Sequence, residues 1–200
     1  MTDMFKEKSN SYDASDMVKQ LSSAIGECIL DNVKLHKKMS VMDFGAGTGL
    51  ISSHVAPHVN KITAVDISQS MLEQLKDKQA LKGKVDILCQ DITAQPTGET
   101  YDVIMSAMAM HHVKDTNNMI NKFFEHLKPG GRVALADLDK EDGSFHPEGT
   151  VGVYHDGFER VSFQASLEKY GFKDVNFITA HTIFGEEKSY PIFLAVATKP

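Results

Sequence analysis

Several classes of protein are made unlikely by what this chain lacks. Its 200 residues include two cysteines, six prolines and no tryptophan. Cys28 and Cys89 are far apart and form no C-x-x-C pair, so neither a disulfide framework nor a structural zinc site is indicated. No apolar run is long enough to cross a bilayer, and residues 1–10 have no apolar signal-peptide core. We therefore expect a cytoplasmic protein without a membrane span.

Positive charge is also scarce. The chain has 21 Lys and Arg against 27 Asp and Glu, a formal net charge of −6, and its basic residues form no long cluster. Proteins that bind nucleic acid need a basic face for the phosphates, so we expect no such partner. With 42% hydrophobic and 24% charged residues, the composition predicts one globular domain over 1–200. We expect a monomer or a homodimer.

Three alternating glycines follow a short apolar run. Gly45, Gly47 and Gly49 come directly after residues 41–44. Glycines between a strand and a helix let main-chain N–H groups approach a ligand closely. The dinucleotide fingerprint G-x-G-x-x-G would need its third glycine at Leu50, and the Gly-Lys-Ser/Thr of a P-loop is absent. The loop therefore predicts a nucleoside-like ligand without a pyrophosphate.

Two further acids end apolar runs downstream of this loop. Asp66 ends the run 61–66, where a carboxylate is well placed to accept both hydroxyls of a ribose. Asp91 follows the run 85–89, and an acid there can meet the exocyclic amine of an adenine while Ile92 covers the ring.

Strand-like and helical segments alternate along the chain. Strands are predicted at 39–44, 61–66, 85–89, 101–107, 131–137, 175–184 and 191–198. Helices are predicted at 14–34, 49–57, 68–79, 116–128 and 160–170. The last two strands have no helix between them, so they should pair antiparallel. The pattern predicts an α/β fold: a Rossmann-like, doubly wound, mostly parallel seven-stranded sheet with an antiparallel C-terminal hairpin.

The order of motifs resembles one family. D-F-G-A-G-T-G at 43–49 is followed by V-D-I-S at 65–68, Q-D-I at 90–92, Y-D-V-I-M-S at 101–106 and L-K-P-G-G-R-V at 127–133. This order is similar to that of the class I S-adenosylmethionine-dependent methyltransferases, and most similar to the small-molecule branch that includes quinone-biosynthesis methyltransferases. The resemblance implies S-adenosylmethionine as cofactor, S-adenosylhomocysteine as product and a small-molecule acceptor. It leaves open whether oxygen, nitrogen, sulfur or carbon is methylated.

The same resemblance assigns roles to residues of the cofactor site. The methionine part would be held by Asp43, Gly45, Ala46, Gly47 and Gly49. Asp66 would bind the ribose beside Ile67 and Met71, and Asp91 and Ile92 would bracket the adenine. Ser106 would lie beneath the sulfonium, and Tyr12, in an N-terminal helical cap over 1–38, would fold over the cofactor.

Histidines supply the candidate catalytic groups. His111 or His112 beside the cofactor would be able to deprotonate an acceptor, and the alternative is a structural role at the start of a helix. The Gly-rich stretch 138–158 is expected to be an active-site loop. Within it His155 is a second candidate base, and Tyr154 is a surface to stack on a flat substrate. A polar surface loop is the alternative.

We expect no metal site. Asp137, Asp139, Glu141 and Asp142 follow the fifth strand, but acids do not follow the fourth, so this run is interpreted as a solvated loop. Two other functions remain open: an NAD(P)-dependent oxidoreductase, disfavoured by the glycine spacing and the hairpin, and a non-catalytic module that binds S-adenosylmethionine.

Overall fold

The computed structural model describes Asp3 and residues 5–200, apart from the side chain of Lys8. The signal-peptide prediction for residues 1–10 includes residues 1, 2 and 4, which lie outside this description. The strands are β1 Ser40–Phe44, β2 Lys61–Asp66, β3 Val85–Cys89, β4 Tyr101–Ala107, β5 Leu127–Leu138, β6 Lys173–Phe184 and β7 Ser189–Thr198. The α-helices are α1 Lys6–Ser9, α2 Asp16–Asn32, α3 Leu50–Val55, α4 Gln69–Lys76, α5 Thr116–His126 and α6 Arg160–Lys169. Short 3-10 turns are Tyr12–Ala14, Ala56–His58, Gln79–Leu81 and Met110–His112.

The seven strands form one sheet in the order β3-β2-β1-β4-β5-β7-β6. The pairs β1–β2, β1–β4, β2–β3 and β4–β5 are parallel. β7 runs antiparallel to both β5 and β6. The predicted α/β fold, with its reversed C-terminal strands, is therefore confirmed. Among the described residues, no helix has both the length and the apolar character required to cross a membrane.

Helices cover both faces of this sheet. Alternate residues of β1 face different cores: Val41 lies in one cluster of buried side chains and Met42 in the other. α2 packs into the first core through residues at helical spacing, such as Leu21 and Ile25. α5 packs into the second through Phe123. Strands that are apolar at nearly every position need other elements packed on both faces of the sheet, and the helices provide this cover.

One strand begins earlier than predicted. Pro129-Gly130-Gly131 was expected to separate α5 from a strand over 131–137, yet β5 starts at Leu127, which pairs with Tyr101 across an irregular register. Gly130 N–H donates to the carbonyl of Lys199 at 2.8 Å. The irregularity therefore accommodates the proline and glycines within the sheet, with the C-terminal segment as their partner.

The loop from 139 to 158 returns to the strand it leaves. Asp139 and Phe158 form a parallel bridge, and Phe158 N–H donates to the carbonyl of Leu138 at 2.9 Å. Gly157 allows this close return: its φ is +69, in the left-handed region that favours glycine, and a Cβ there would stand 2.1 Å from the backbone carbonyl oxygen of Asp139. The expected active-site loop is thus fixed at both ends beside the carboxyl end of β5.

Candidate functional site

The glycine loop lies at the carboxyl ends of β1 and β2. Gly45 N–H and Ala46 N–H both donate to the carbonyl of Val65, at 2.8 and 3.1 Å. Gly47 N–H donates to the carboxylate of Asp66 at 2.8 Å. These bonds join the loop after β1 to the last residues of β2, so the predicted loop and the predicted ribose-binding acid form one unit.

Gly47 borders a cleft with space for a ligand. Tyr12, Asp43, Ala46 and Met108 line the same cleft. Gly47 has a φ of +52, and a Cβ built on it would meet nothing within 4 Å among the described residues. Backbone therefore faces the cleft directly, which fits the close main-chain approach that a nucleoside cofactor requires.

Two carboxylates that adjoin the glycine loop are largely withdrawn from solvent. Asp43 is 1% exposed and accepts a hydrogen bond from Ser52 Oγ at 2.6 Å. Burial raises the pKa of Asp43 to about 7, the Ser52 bond opposes the rise, and the nearby Asp66 adds to it. Burial also raises the pKa of Asp66, against the N–H donors of Ser68 and Gly47.

Residues of the N-terminal segment, among them Tyr12, line this cleft, and the helical cap over 1–38 stays a prediction. Asp13 accepts a hydrogen bond from Thr48 Oγ1 at 2.6 Å and pairs with Lys78 at 2.6 Å. Burial, followed by the charges of Asp13 and Asp66, raises the pKa of the Tyr12 phenol. Tyr12 therefore lies within electrostatic range of the acid predicted to bind the ribose.

The remaining predicted cofactor residues have varied surroundings. Ser106 is fully buried, and its Oγ has no hydrogen-bond partner within Asp3 and residues 5–200. Ile92 is fully buried in the second core, Met71 is 4% exposed and Ile67 is 50% exposed. Asp91 accepts hydrogen bonds from the N–H and hydroxyl of Thr93. Their predicted roles stay predictions.

The histidines predicted as bases lie in a cluster at the carboxyl end of β4. His111 is 1% exposed, and its Nδ1 lies 2.6 Å from Asp137 Oδ1. The backbone N–H of His111 donates to the other oxygen of that carboxylate at 3.2 Å. His112 Nδ1 lies 2.8 Å from the carbonyl oxygen of Gly152. The ring of His146 lies 5.1 Å from that of His111, between centroids.

Burial is the main reason that the pKa of His112 falls to about 4, and the neighbouring His111 lowers it further. The His112 imidazole is therefore neutral at physiological pH. A neutral imidazole carries one unprotonated nitrogen, so His112 offers a lone pair rather than a positive charge.

His155 occupies a different position from the clustered rings. Its Nε2 lies 2.9 Å from the carbonyl oxygen of Val113, and its ring packs against Phe158 at 5.3 Å between centroids. The N–H groups of Tyr154 and His155 both donate to the carbonyl of His111. These bonds attach the long loop to the histidine segment, and the predicted catalytic role of His155 stays a prediction.

The interpretation of the acidic run as a solvated loop is wrong for its first two members. Asp137 is 1% exposed and holds His111, as described above. Asp139 forms two hydrogen bonds with the guanidinium of Arg160, each 2.7 Å long. Asp142 fits the interpretation, since its side chain is 60% exposed and pairs with Lys188.

Sequence reasoning did not identify two residues that belong with His111 and His112: the acid Asp137 and the third ring, His146. Asp137 ends a predicted strand, the same signal that identified Asp66, and that signal would have found it. His146 lies in the middle of the long loop, 34 positions after His112. No local pattern marks its approach to the other rings.

The chain is similar in sequence to known methyltransferases. Residues 41–131 match the profile of a family described as "Methyltransferase domain". The chain is 33% identical to an uncharacterised methyltransferase of Schizosaccharomyces pombe over 135 residues, covering 60% of this chain and 48% of the relative. It is 31% identical to a ubiquinone biosynthesis O-methyltransferase of Coxiella burnetii over 108 residues, covering 52% of this chain and 45% of the relative. The chain thus spans about half the length of the curated relatives it matches.

Solved structures agree on the fold. The N-methyltransferase NodS of Bradyrhizobium japonicum, solved with S-adenosylhomocysteine, superimposes with a TM-score of 0.72 at 16% identity, covering 94% of this chain and 90% of that one. Its sheet-and-helix architecture is shared, and the motif order and the matched profile extend the agreement to the sequence. Over residues 41–131 the chain is similar to the methyltransferase-domain family, and its motif order resembles that of the class I S-adenosylmethionine-dependent methyltransferases.

Proposed function

We propose that this chain transfers the methyl group of S-adenosylmethionine to a small-molecule acceptor by in-line displacement. The observation that carries the proposal is the glycine loop, where Gly47 leaves open space in a cleft that Asp43 also lines. The names of two similar proteins, a ubiquinone biosynthesis O-methyltransferase and an N-methyltransferase, support a small acceptor. The net charge of −6 disfavours nucleic acid as the acceptor.

The cofactor would lie along the carboxyl ends of β1, β2 and β3. The loop from Gly45 to Gly49, with Asp43, would hold its methionine part, and Tyr12 would cover it. Asp66 would hold the ribose: its carboxylate already accepts from Gly47 and Ser68 N–H groups, and a carboxylate has about four acceptor positions. The adenine would lie beside Asp91, Ile92, Ile67 and Met71.

The chain's own contribution to the reaction is orientation and water exclusion. When bound, S-adenosylmethionine supplies an electrophilic methyl group, and the S–C electron pair leaves with sulfur as S-adenosylhomocysteine. The N-terminal segment, which lines the cleft through Tyr12, would exclude water from it. Holding the acceptor in line with the methyl group converts a bimolecular encounter into an oriented one, which lowers the barrier substantially.

A proton acceptor is available on the acceptor side. Asp137 orients His111 through Nδ1, which leaves Nε2 to take a proton from an acceptor hydroxyl, thiol or amine. His155 is the less favourable candidate, because its Nε2 faces the carbonyl of Val113. We infer His111 as the proton acceptor in the metal-free protein, with Asp137 as its positioning residue.

A matched pair of glycine variants tests the cofactor assignment. Gly47 and Gly83 both have positive φ, +52 and +73, and in each case an added Cβ would meet nothing within 4 Å among the described residues. Gly47→Ala and Gly83→Ala therefore introduce similar backbone strain, but only the first adds a methyl group to the cleft. Calorimetric titration with S-adenosylmethionine, S-adenosylhomocysteine and NADH would measure the result.

We expect micromolar binding of both adenosyl ligands by the unmodified chain and by Gly83→Ala, and at least about tenfold weaker binding by Gly47→Ala. Binding of NADH without the adenosyl ligands would overturn the proposal in favour of the oxidoreductase alternative. A chain that binds the adenosyl ligands but forms no S-adenosylhomocysteine with phenol, thiol, amine and carbon-acid acceptors would favour the non-catalytic module.

A further inference from the structure

We propose that His111, His112 and His146 form a binding site for a divalent transition-metal cation of the zinc type, on the acceptor side of the cofactor cleft. Metal binding itself follows from the arrangement of these three side chains. The role suggested for the metal below, activation of the methyl acceptor, rests on the proposed function.

The hydrogen bonds of two rings determine where their lone pairs lie. The carbonyl of Gly152 can only accept, so His112 Nδ1 must carry the proton that it donates at 2.8 Å. The Asp137 carboxylate, 2.6 Å from His111 Nδ1, fixes the same tautomer in His111. In the neutral rings the lone pair is therefore at Nε2 in both cases. Metal-bound histidines have this pattern, in which the other ring nitrogen donates to a carboxylate or a backbone carbonyl.

The three rings are close enough to share one ion. One ring nitrogen from each of His111, His112 and His146 lies within 4.8 Å of the other two. Nitrogen ligands about 2.0–2.1 Å from tetrahedral zinc stand about 3.3 Å apart. Closure therefore requires movements of about 1.5 Å or less. His146 belongs to the long loop, where such an adjustment disturbs no strand or helix.

The donor set selects the class of cation. Three imidazole nitrogens suit zinc, iron, cobalt, nickel and copper, whereas magnesium and calcium prefer carboxylate and carbonyl oxygen. The acidic run after β5 that was considered for magnesium is used otherwise, since Asp139 pairs with Arg160. Asp137 faces a histidine instead of a cation, which is the arrangement that supports a histidine ligand.

Three protein ligands leave one tetrahedral position for another molecule, as in catalytic zinc sites. The turn Met110–His112 follows Ala107 and Met108, which line the cofactor cleft. The open position is therefore suited to an acceptor oxygen or sulfur. Let X be the oxygen or sulfur atom of the acceptor. Bound there, the acceptor X–H releases its proton to water. The lone pair of X then forms the new X–CH3 bond as the S–C bond of the cofactor breaks. The balanced products are X–CH3, S-adenosylhomocysteine and one proton.

Cobalt(II) substitution tests the site without reference to activity. The purified chain would be treated with a chelator and titrated with cobalt(II) chloride, with the visible d–d absorption of a tetrahedral complex as readout. Variants His112→Gln and His146→Gln would be compared with His58→Gln, which replaces an exposed histidine outside the cluster. Thermal unfolding and calorimetry with S-adenosylmethionine would show whether each variant folds.

We expect intense tetrahedral absorption that saturates at one cobalt per chain and is displaced by zinc. His112→Gln and His146→Gln should each weaken cobalt binding by about tenfold or more, while His58→Gln leaves it unchanged. Absence of the absorption, or equal affinity in all three variants, would overturn the site. A chain that shows no cobalt absorption, but whose methylation activity falls on acidification, would use His111 as a proton-accepting base instead of a metal ligand.

The two proposals fail in different ways. A chain that binds cobalt at the three histidines but does not bind S-adenosylmethionine retains the metal site and refutes the proposed function. A chain that binds both ligands, yet methylates its acceptor equally well after chelation, retains the metal site and refutes its role in acceptor activation.

Discussion

The two sides of the cleft differ in the chemistry they present. On the β1–β2 side, carboxylates of β2 and of the N-terminal segment accept from the glycine loop: Asp66 accepts from Gly47 N–H, and Asp13 accepts from the Thr48 hydroxyl. On the β4–β5 side, imidazole rings take the place of acids, and the one buried acid, Asp137, lies behind His111. One side is suited to hydroxyl and amine donors, the other to cations or protons.

The two sides also differ in how far apart their residues lie in the sequence. The carboxylate side comes from a loop and two strand ends whose residues are adjacent in sequence or separated by one crossover. The histidine side needs a turn after β4, the end of β5 and a distant loop residue, His146. A site of the first kind is visible in a sequence motif, and a site of the second kind becomes visible only when the chain is folded.

Removing Asp66 should give the largest effect and separate the two sides. Asp66→Ala takes away the acceptor for Gly47 and Ser68 N–H groups and the predicted ribose ligand. Hydrogen bonds to a charged group contribute about 1.5–3 kcal/mol each, so S-adenosylmethionine should bind about 100-fold more weakly or worse by calorimetry. Cobalt binding should not change. Asp86→Ala, which alters an exposed acid on β3, is the control, and a loss in Asp66→Ala of less than about tenfold would contradict the ribose role.

The pH dependence of stability should reveal the buried acid of the carboxylate side. Burial raises the pKa of Asp43 from 3.8 to about 7, so between these values the folded chain holds a proton that the unfolded chain has lost. This contribution to the free energy of unfolding is therefore present at low pH and lost as the pH rises through about 7. It should amount to about 3 kcal/mol between pH 5 and pH 8.

Urea unfolding of the unmodified chain and of Asp43→Asn at both pH values would isolate this contribution. Other groups contribute equally to both proteins, so the difference between their profiles belongs to Asp43. Profiles that run parallel between pH 5 and pH 8 would show that Asp43 titrates normally.

Neutralising Asp137 tests the histidine side. An asparagine amide can donate to His111 Nδ1 and so favour the opposite tautomer, with the proton on Nε2. Asp137→Asn should weaken cobalt binding by about 10- to 100-fold, measured by visible absorption, with little effect on S-adenosylmethionine affinity. Asp139→Asn is the matched control, because that acid pairs with Arg160. Equal cobalt affinity in the two variants would remove Asp137 from the site.

The smallest effect is expected from the tether between the N-terminal segment and the glycine loop. Asp13→Asn weakens the contacts with Thr48 and Lys78. The Asp13 side chain is 37% exposed, so solvent screening limits the loss to about 0.5–1 kcal/mol, a two- to fivefold weaker affinity for S-adenosylmethionine. Asp16→Asn changes an acid with 90% side-chain exposure and should leave affinity unaltered. Equal affinities for both variants would argue against the tether.

Most of the fold was predictable because its signals are local. Apolar runs predicted β2, β3 and β4 with their observed bounds, and the missing helix between the last two strands predicted their antiparallel pairing. β5 was not predicted from Leu127, because Pro129 and two glycines indicate a break unless a partner strand is known. Pairing with Tyr101 and the contact with Lys199 supply that partner.

The candidate site was predictable in proportion to how local its residues are. The glycine loop and Asp66 form one hydrogen-bonded unit in the fold, as their spacing indicated. His111 is a candidate base from the sequence, and its role stays a prediction. Its partner Asp137 was interpreted as part of a solvated loop, because it was grouped with the acids that follow it and not with the end of its strand. His146 lies in the predicted active-site loop 138–158 but was not singled out, since its approach to the other rings depends on how the loop folds.

The long loop is joined to the segment after β4 at several points. His111 carbonyl oxygen accepts from the N–H groups of Tyr154 and His155, Gly152 accepts from His112, and Val113 accepts from His155. Loop exchange between relatives is a common way to alter enzyme specificity, and it works when the loop is an independent module. Here a transplanted loop would bring its own residue at position 146 and its own hydrogen-bond partners for His111, His112 and Val113. Under the proposed function, selectivity and acceptor chemistry would therefore be inherited together, and an engineered change in one would require redesign of the other.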